Sequence, residues 1–237
     1  MSSPRNDAPD DVDLGRVWIS VAAQVWRREP GWLERTAGRL LRSPGLARAL
    51  LTTPSLLLPW LLTSIAVLAA GAAATTDSGQ PLVALLAPAV AAAAIAYAYG
   101  PGMDPAWELS CSMAVSDRMV LLARAVAVFA VNAALGLAAS AVSASGAAAA
   151  VTFGWLIPMT AVCAFALAVA TVARSASAGA AAGIGAWLIT VLCGQAASGH
   201  FAAAVSDTVL FLPYLAIGAG CAAVALYATR IGRGTLR

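Results

Sequence analysis

The chain has 237 residues, 61% of them hydrophobic and only 11% charged, whereas charged residues make up roughly a quarter of an ordinary soluble domain. That excludes a soluble globular fold and makes lipid the solvent for most of the chain. The formal net charge is +3, but the fourteen basic residues are all arginines spread over the ends of apolar stretches, not gathered on one surface, which sets nucleic acid aside as a partner.

The first element in chain order is a polar, acidic terminus over residues 1–11, expected to be disordered. It lacks the basic stretch and apolar h-region of a cleaved signal peptide, so internal helices are expected to drive insertion. Residues 12–51 then read as cytoplasmic interfacial helices. In the first, over 12–28, Leu14, Val17, Trp18, Val21, Val25 and Trp26 oppose Asp13, Arg16, Ser20, Gln24 and Arg27. Pro30 breaks it. A weaker one follows, with Trp32, Leu33, Ala37, Leu40 and Leu41 against Glu34, Arg35 and Arg42, before the Ser43-Pro44-Gly45 turn. Trp18, Trp26, Arg27 and Arg28 are the residues expected at the headgroups, since tryptophan beside arginine suits that region; a helix packed on a protein partner is the other reading.

Residues 52–230 are expected to form an all-α domain of six transmembrane helices, at 55–74, 82–100, 119–143, 147–173, 178–196 and 208–229, each of about the 20 mainly apolar residues that a crossing needs. Breakers mark the joints: TTDSGQP, YGPGMDP, SASG, RSAS and SGHFAAAVSD. Eight arginines precede the first span, two follow the second, one follows the fourth and three lie at the tail, 231–237 included; the opposite loops offer only Asp77, His200 and Asp207. The asymmetry predicts that both termini are cytoplasmic. Arg124 is expected within a turn or two of the cytoplasmic interface.

Inside the spans the polar side chains are small or neutral, and no His stands with Asp or Ser in a catalytic set, so the chain is not expected to be an enzyme. Asn132, Thr160 and Gln195 are the candidates for a translocation path or for helix packing, with interhelical hydrogen bonding the expected role of Asn132 and Gln195. Gly179 with Gly183, and Gly136 with Ser140, have the four-residue spacing that lets helix backbones approach closely, within one chain or between two. Pro88, Pro158 and Pro213 either kink their helices or are tolerated. The four cysteines, Cys111, Cys163, Cys193 and Cys221, show no C-x-x-C spacing, and neither a disulfide framework nor a metal site is expected.

Between the second and third spans, over 101–118, lies the segment with the most local character. Asp104 can cap a helix with Pro105 at its first position, Glu108 then sits near the positive helix end, and Ser116-Asp117 looks like a second start, opening the third span. The stretch GMDPAWELSCSMAVSDRMVLLAR resembles the coupling region of ABC-2-type transporter permeases, with Glu108, Val115, Ser116, Val120, Leu121, Leu122 and Arg124 at matching positions. Met113 and Ala114 depart from the usual Thr and Pro. The resemblance implies a membrane subunit of an ATP-driven exporter, paired with a second copy or a paralogue, and the Ala- and Arg-rich, Lys-free composition suggests a GC-rich bacterial genome and hence a bacterial inner membrane. The resemblance also implies that Asp104, Trp107, Glu108, Ser116, Asp117 and Arg118 contact an ABC ATPase subunit. ATP and Mg would be bound by that subunit, since the chain has no GxxxxGK[ST] loop and is expected to carry no cofactor of its own. A lipid-like, peptide or hydrophobic substrate suits the uncharged interior. The alternative is a non-transporting scaffold that anchors a soluble regulatory partner; a lipid-modifying enzyme lacks its catalytic polar cluster.

Overall fold

The computed structural model describes residues 13, 15–20, 31–40, 54–98, 117–143, 154–206 and 208–231. These fall into two compact units, Met1–Arg48 and Ala49–Arg237.

In the first unit, residues 15–20 are helical. The Asp13 carboxylate accepts from the Arg16 backbone N–H at 3.1 Å, as an N-cap does. Helix α1, Trp32–Leu40, follows.

The second unit is a helical bundle, with no strand among its described residues. Its elements are α2 (Pro54–Ser78), α3 (Leu82–Tyr97), α4 (Asp117–Ser143), α5 (Leu156–Ala173), α6 (Ala176–Ser198), the short α7 (Ala203–Ser206), a 3-10 turn at Thr208–Leu210 and α8 (Phe211–Ile231). Five helices are long and apolar enough to cross a membrane: Pro59–Ser78, Met119–Ser143, Leu156–Ala173, Ala176–Ser198 and Phe211–Thr229. The chain is therefore a multi-pass membrane protein in character. The span expected at 82–100 is the shorter α3, whose 16 residues rise about 24 Å against a hydrocarbon core of about 30 Å.

Short α3 is interior. It packs on α2, α4, α5 and α6, and nine of its residues are buried. Its small Ala side chains let four neighbours close around it, which its short length alone did not foretell. α5 is the second interior helix: half of its apolar window is buried, against 6% for α8, which packs chiefly on α5.

The joints show why the helices end where they do. Arg174, at the α5–α6 turn, takes a left-handed φ of 51°, and Ser175 caps α6 by accepting from the Ala178 N–H at 3.3 Å. Gly199, φ 73°, closes α6 with its N–H on the Gln195 carbonyl. The connection that follows is no simple polar loop, as its composition suggested: Ala204 and Val205 of α7 are fully buried. The Val205 carbonyl lies 2.7 Å from where a Cβ on Gly154 would stand, and the Tyr214 hydroxyl donates to the Ala204 carbonyl at 3.0 Å.

The prolines divide. Pro158 and Pro213 are third residues of their helices, in the first turn, where the missing N–H has no intrahelical acceptor to lose. Pro88 and Pro59 are inside theirs.

Candidate functional site

The expected polar candidates do not converge. Thr160 donates to the Ile157 carbonyl at 2.7 Å, Thr171 to Ala168 at 2.9 Å and Thr190 to Ala186 at 2.8 Å, each within its own helix. Such back-bonding is how a hydroxyl is satisfied in lipid without a neighbour. Asn132, 2% exposed on α4, donates from Nδ2 to the Val128 carbonyl of the same helix at 2.8 Å. Its Oδ1 is buried with no partner, as are Gln195 Oε1 on α6 and Trp60 Nε1 on α2. The interhelical pairing expected of Asn132 and Gln195 is thus not made by these oxygens.

Besides the Tyr214 bond to α7, a second bond between helices forms among the described residues, at a side chain that its type alone does not mark. Trp187 Nε1, on α6, donates to the Leu85 carbonyl of α3 at 2.7 Å. Pro88 removes the ordinary donor to the Ala84 carbonyl, and the indole bonds the next carbonyl along, that of Leu85, in the same turn of α3. The available signal was the run Gly179, Gly183, Trp187 at four-residue spacing, one stripe of α6.

That stripe is packed within the chain. A Cβ on Gly179 would stand 2.6 Å from the Ala166 carbonyl, and one on Gly183 would stand 2.8 Å from Ala166 Cβ and 3.1 Å from Ala92 Cβ. The Gly136 of the other small pair lies under the Trp155 ring, 2.5 Å from Cη2 by the same measure. Both glycine sets bring backbone or indole close inside one bundle and are not surfaces left for a second copy.

Between α2 and α4 runs an open groove of about 470 Å³, lined by residues that include Ile65, Leu68, Ala72, Leu135 and Ala139, with Thr76 the polar lining residue. The Thr76 hydroxyl is bonded to the Ala73 carbonyl, so the groove offers hydrocarbon and little else.

Of the coupling residues, Asp104, Trp107, Glu108 and Ser116 lie outside the described residues. Asp117 and Arg118 are the first two residues of α4, the register expected of the third span's start. Trp26, Arg27 and Arg28 also lie outside; Trp18 is 73% exposed. Lone His200 is exposed, its Nδ1 2.7 Å from the Ser198 carbonyl. Comparison with protein families, with curated proteins and with solved structures finds no match.

Asn132→Leu is expected to leave stability unchanged or raise it by about 1 kcal/mol. It removes a buried acceptor whose desolvation costs about 1–3 kcal/mol and gives up one local bond worth about 0.5–1.5 kcal/mol. Thermal unfolding in detergent measures this, and a loss above about 2 kcal/mol would mean that Oδ1 is bonded in the native membrane.

Proposed function

We propose that the chain is the membrane-spanning permease subunit of an ABC-2-type exporter, driven by a separate ATPase. The observation that carries this reading is the segment GMDPAWELSCSMAVSDRMVLLAR, placed directly before and into α4, which opens at Asp117. Supporting it, the described residues of the bundle interior hold no ionisable pair of the kind an ion-coupled carrier needs, which favours an energy source outside the chain. In this reading α3 crosses as well, its short length covered by the helices packed on it, giving six crossings and cytoplasmic termini in a bacterial inner membrane. The apolar α2–α4 groove favours a lipid-like or hydrophobic substrate.

The region before α2 belongs to the same reading as an interfacial element. Exposed Trp18, Ile19 and Trp32 are flanked by exposed Arg16, Arg35 and Arg39, the mixture that lies at a headgroup boundary. ATP-driven closure of two ATPases would push on the coupling segment and this element and shift two permease bundles against each other.

Mild-detergent purification of the tagged chain, with mass spectrometry of what remains bound at stoichiometric yield, is expected to recover a protein with a phosphate-binding loop. Glu108→Ala and Arg118→Ala are then expected to reduce substrate-stimulated ATP hydrolysis at least tenfold, about 1.4 kcal/mol of coupling, with insertion intact. Unchanged hydrolysis, or recovery of no ATPase from a preparation that preserves other membrane complexes, would shift the reading to a scaffold.

A further inference from the structure

We infer that the N-terminal unit is a recognition surface for anionic lipid headgroups, so that the composition of the facing leaflet sets whether it is seated on the bilayer. The inference rests on the interfacial reading above and makes it specific. On α1, the side chains of Trp32, Arg35, Thr36 and Arg39 are all exposed, and at 3.6 residues per turn positions 0, 3, 4 and 7 share one side, so Trp32 stands beside Arg35 and not against it as the sequence pattern set them. An indole is thereby flanked by two guanidinium groups one and two turns along. Residues 15–20 are exposed throughout, and they bring Val17, Trp18 and Ile19 together with Arg16.

Solvated apolar side chains of this size, 69% exposed for Trp32 and 72% for Ile19, need a cover. Charge decides which cover. The unit as a whole carries eight arginines against four aspartates and two glutamates, a net +2, with its four aspartates all at or before position 13; from position 14 to position 48 seven arginines face two glutamates, a net +5. The nearby Asp13 carboxylate is already engaged at the helix start. Guanidinium groups are weakly hydrated forks that fit phosphate oxygens, and each basic residue near an anionic leaflet contributes about 1 kcal/mol.

Chain length makes a weak surface sufficient. Leu40 is fourteen residues from Pro54, at most about 50 Å of chain. Seating is therefore an intramolecular event at high effective concentration of bilayer, and charge can tip it.

The test is amide hydrogen exchange of 15–20 and 32–40 in the full chain, reconstituted in nanodiscs of phosphatidylcholine alone or with phosphatidylglycerol, at low and high salt. The expected result is exchange slowed severalfold by phosphatidylglycerol and restored by high salt. The triple variant Arg16→Gln, Arg35→Gln, Arg39→Gln is expected to lose the effect, by about fivefold for each charge near the surface. Equal protection in both lipids would overturn the anionic preference while sparing the interfacial reading. Fast exchange in both would overturn the two together.

Discussion

Gly179→Leu is expected to leave little folded chain to purify, and Gly185→Leu, on the same helix, to leave a normal yield. Position 179 has no room: the new Cβ would fall 2.6 Å from the Ala166 carbonyl and 2.6 Å from Ala170 Cβ, both fixed to the α5 backbone. A leucine there separates α5 from α6, and one turn on it opens the Gly183 contact with Ala166 and Ala92. In lipid, helices associate through close packing and not through exclusion of water, so a lost approach has no hydrophobic substitute. Overpacking costs about 1–3 kcal/mol at a site that can give, and more where the obstacle is backbone. Gly185 has nothing within 4 Å of its Cβ position, and leucine gains about 1 kcal/mol of helix propensity over glycine. Monodisperse recovery on size exclusion, with an unfolding midpoint for each variant, decides the matter. Similar losses at the two positions would refute the packing account.

Trp187→Ala is expected to cost about 3–5 kcal/mol, the range for emptying a buried indole site. Trp187→Phe is expected to cost about 1–2 kcal/mol, since it keeps most of the volume and gives up the 2.7 Å bond to the Leu85 carbonyl. The pair separates filling from bonding. Unfolding in denaturing detergent measures both: no loss in Trp187→Phe would mean that the indole N–H contributes nothing at the Leu85 carbonyl, and equal losses in the two would mean that filling the site contributes nothing beyond the bond.

Apolar runs and their breakers made most of the bundle readable. The starts at Asp117 and Ala176, and the stops at Ser78, Ala173 and Ser198, fall where Pro, Gly and Ser punctuate the sequence, because a spanning helix must satisfy every backbone group and can end only where water or a cap replaces them. Helix identity did not reveal helix depth. α3 and α8 have similar composition, yet one is enclosed and the other almost bare, since burial in an Ala-rich bundle follows from which neighbours close in, a long-range property. The same holds for the candidate site. Asn132 and Gln195 stood out by type, but a lone amide names no partner. Trp187 is unmarked by type, although its spacing from Gly179 and Gly183 places it on the packed stripe. Gly179 and Gly183 were recognised as close-approach residues; whether they met a neighbour in the same chain required coordinates.

The dependence of α5 on α8 has a consequence for biogenesis. α8, the last of the described helices, rests on α5, with the Gly218 Cβ position 3.4 Å from Ala161 Cα. Until Phe211–Ile231 has been synthesised and inserted, the Ala161 side of the central helix meets acyl chains. α5 is thus covered by a segment that leaves the ribosome after it, so a stall between the two leaves a membrane intermediate whose central helix is open to quality-control proteases.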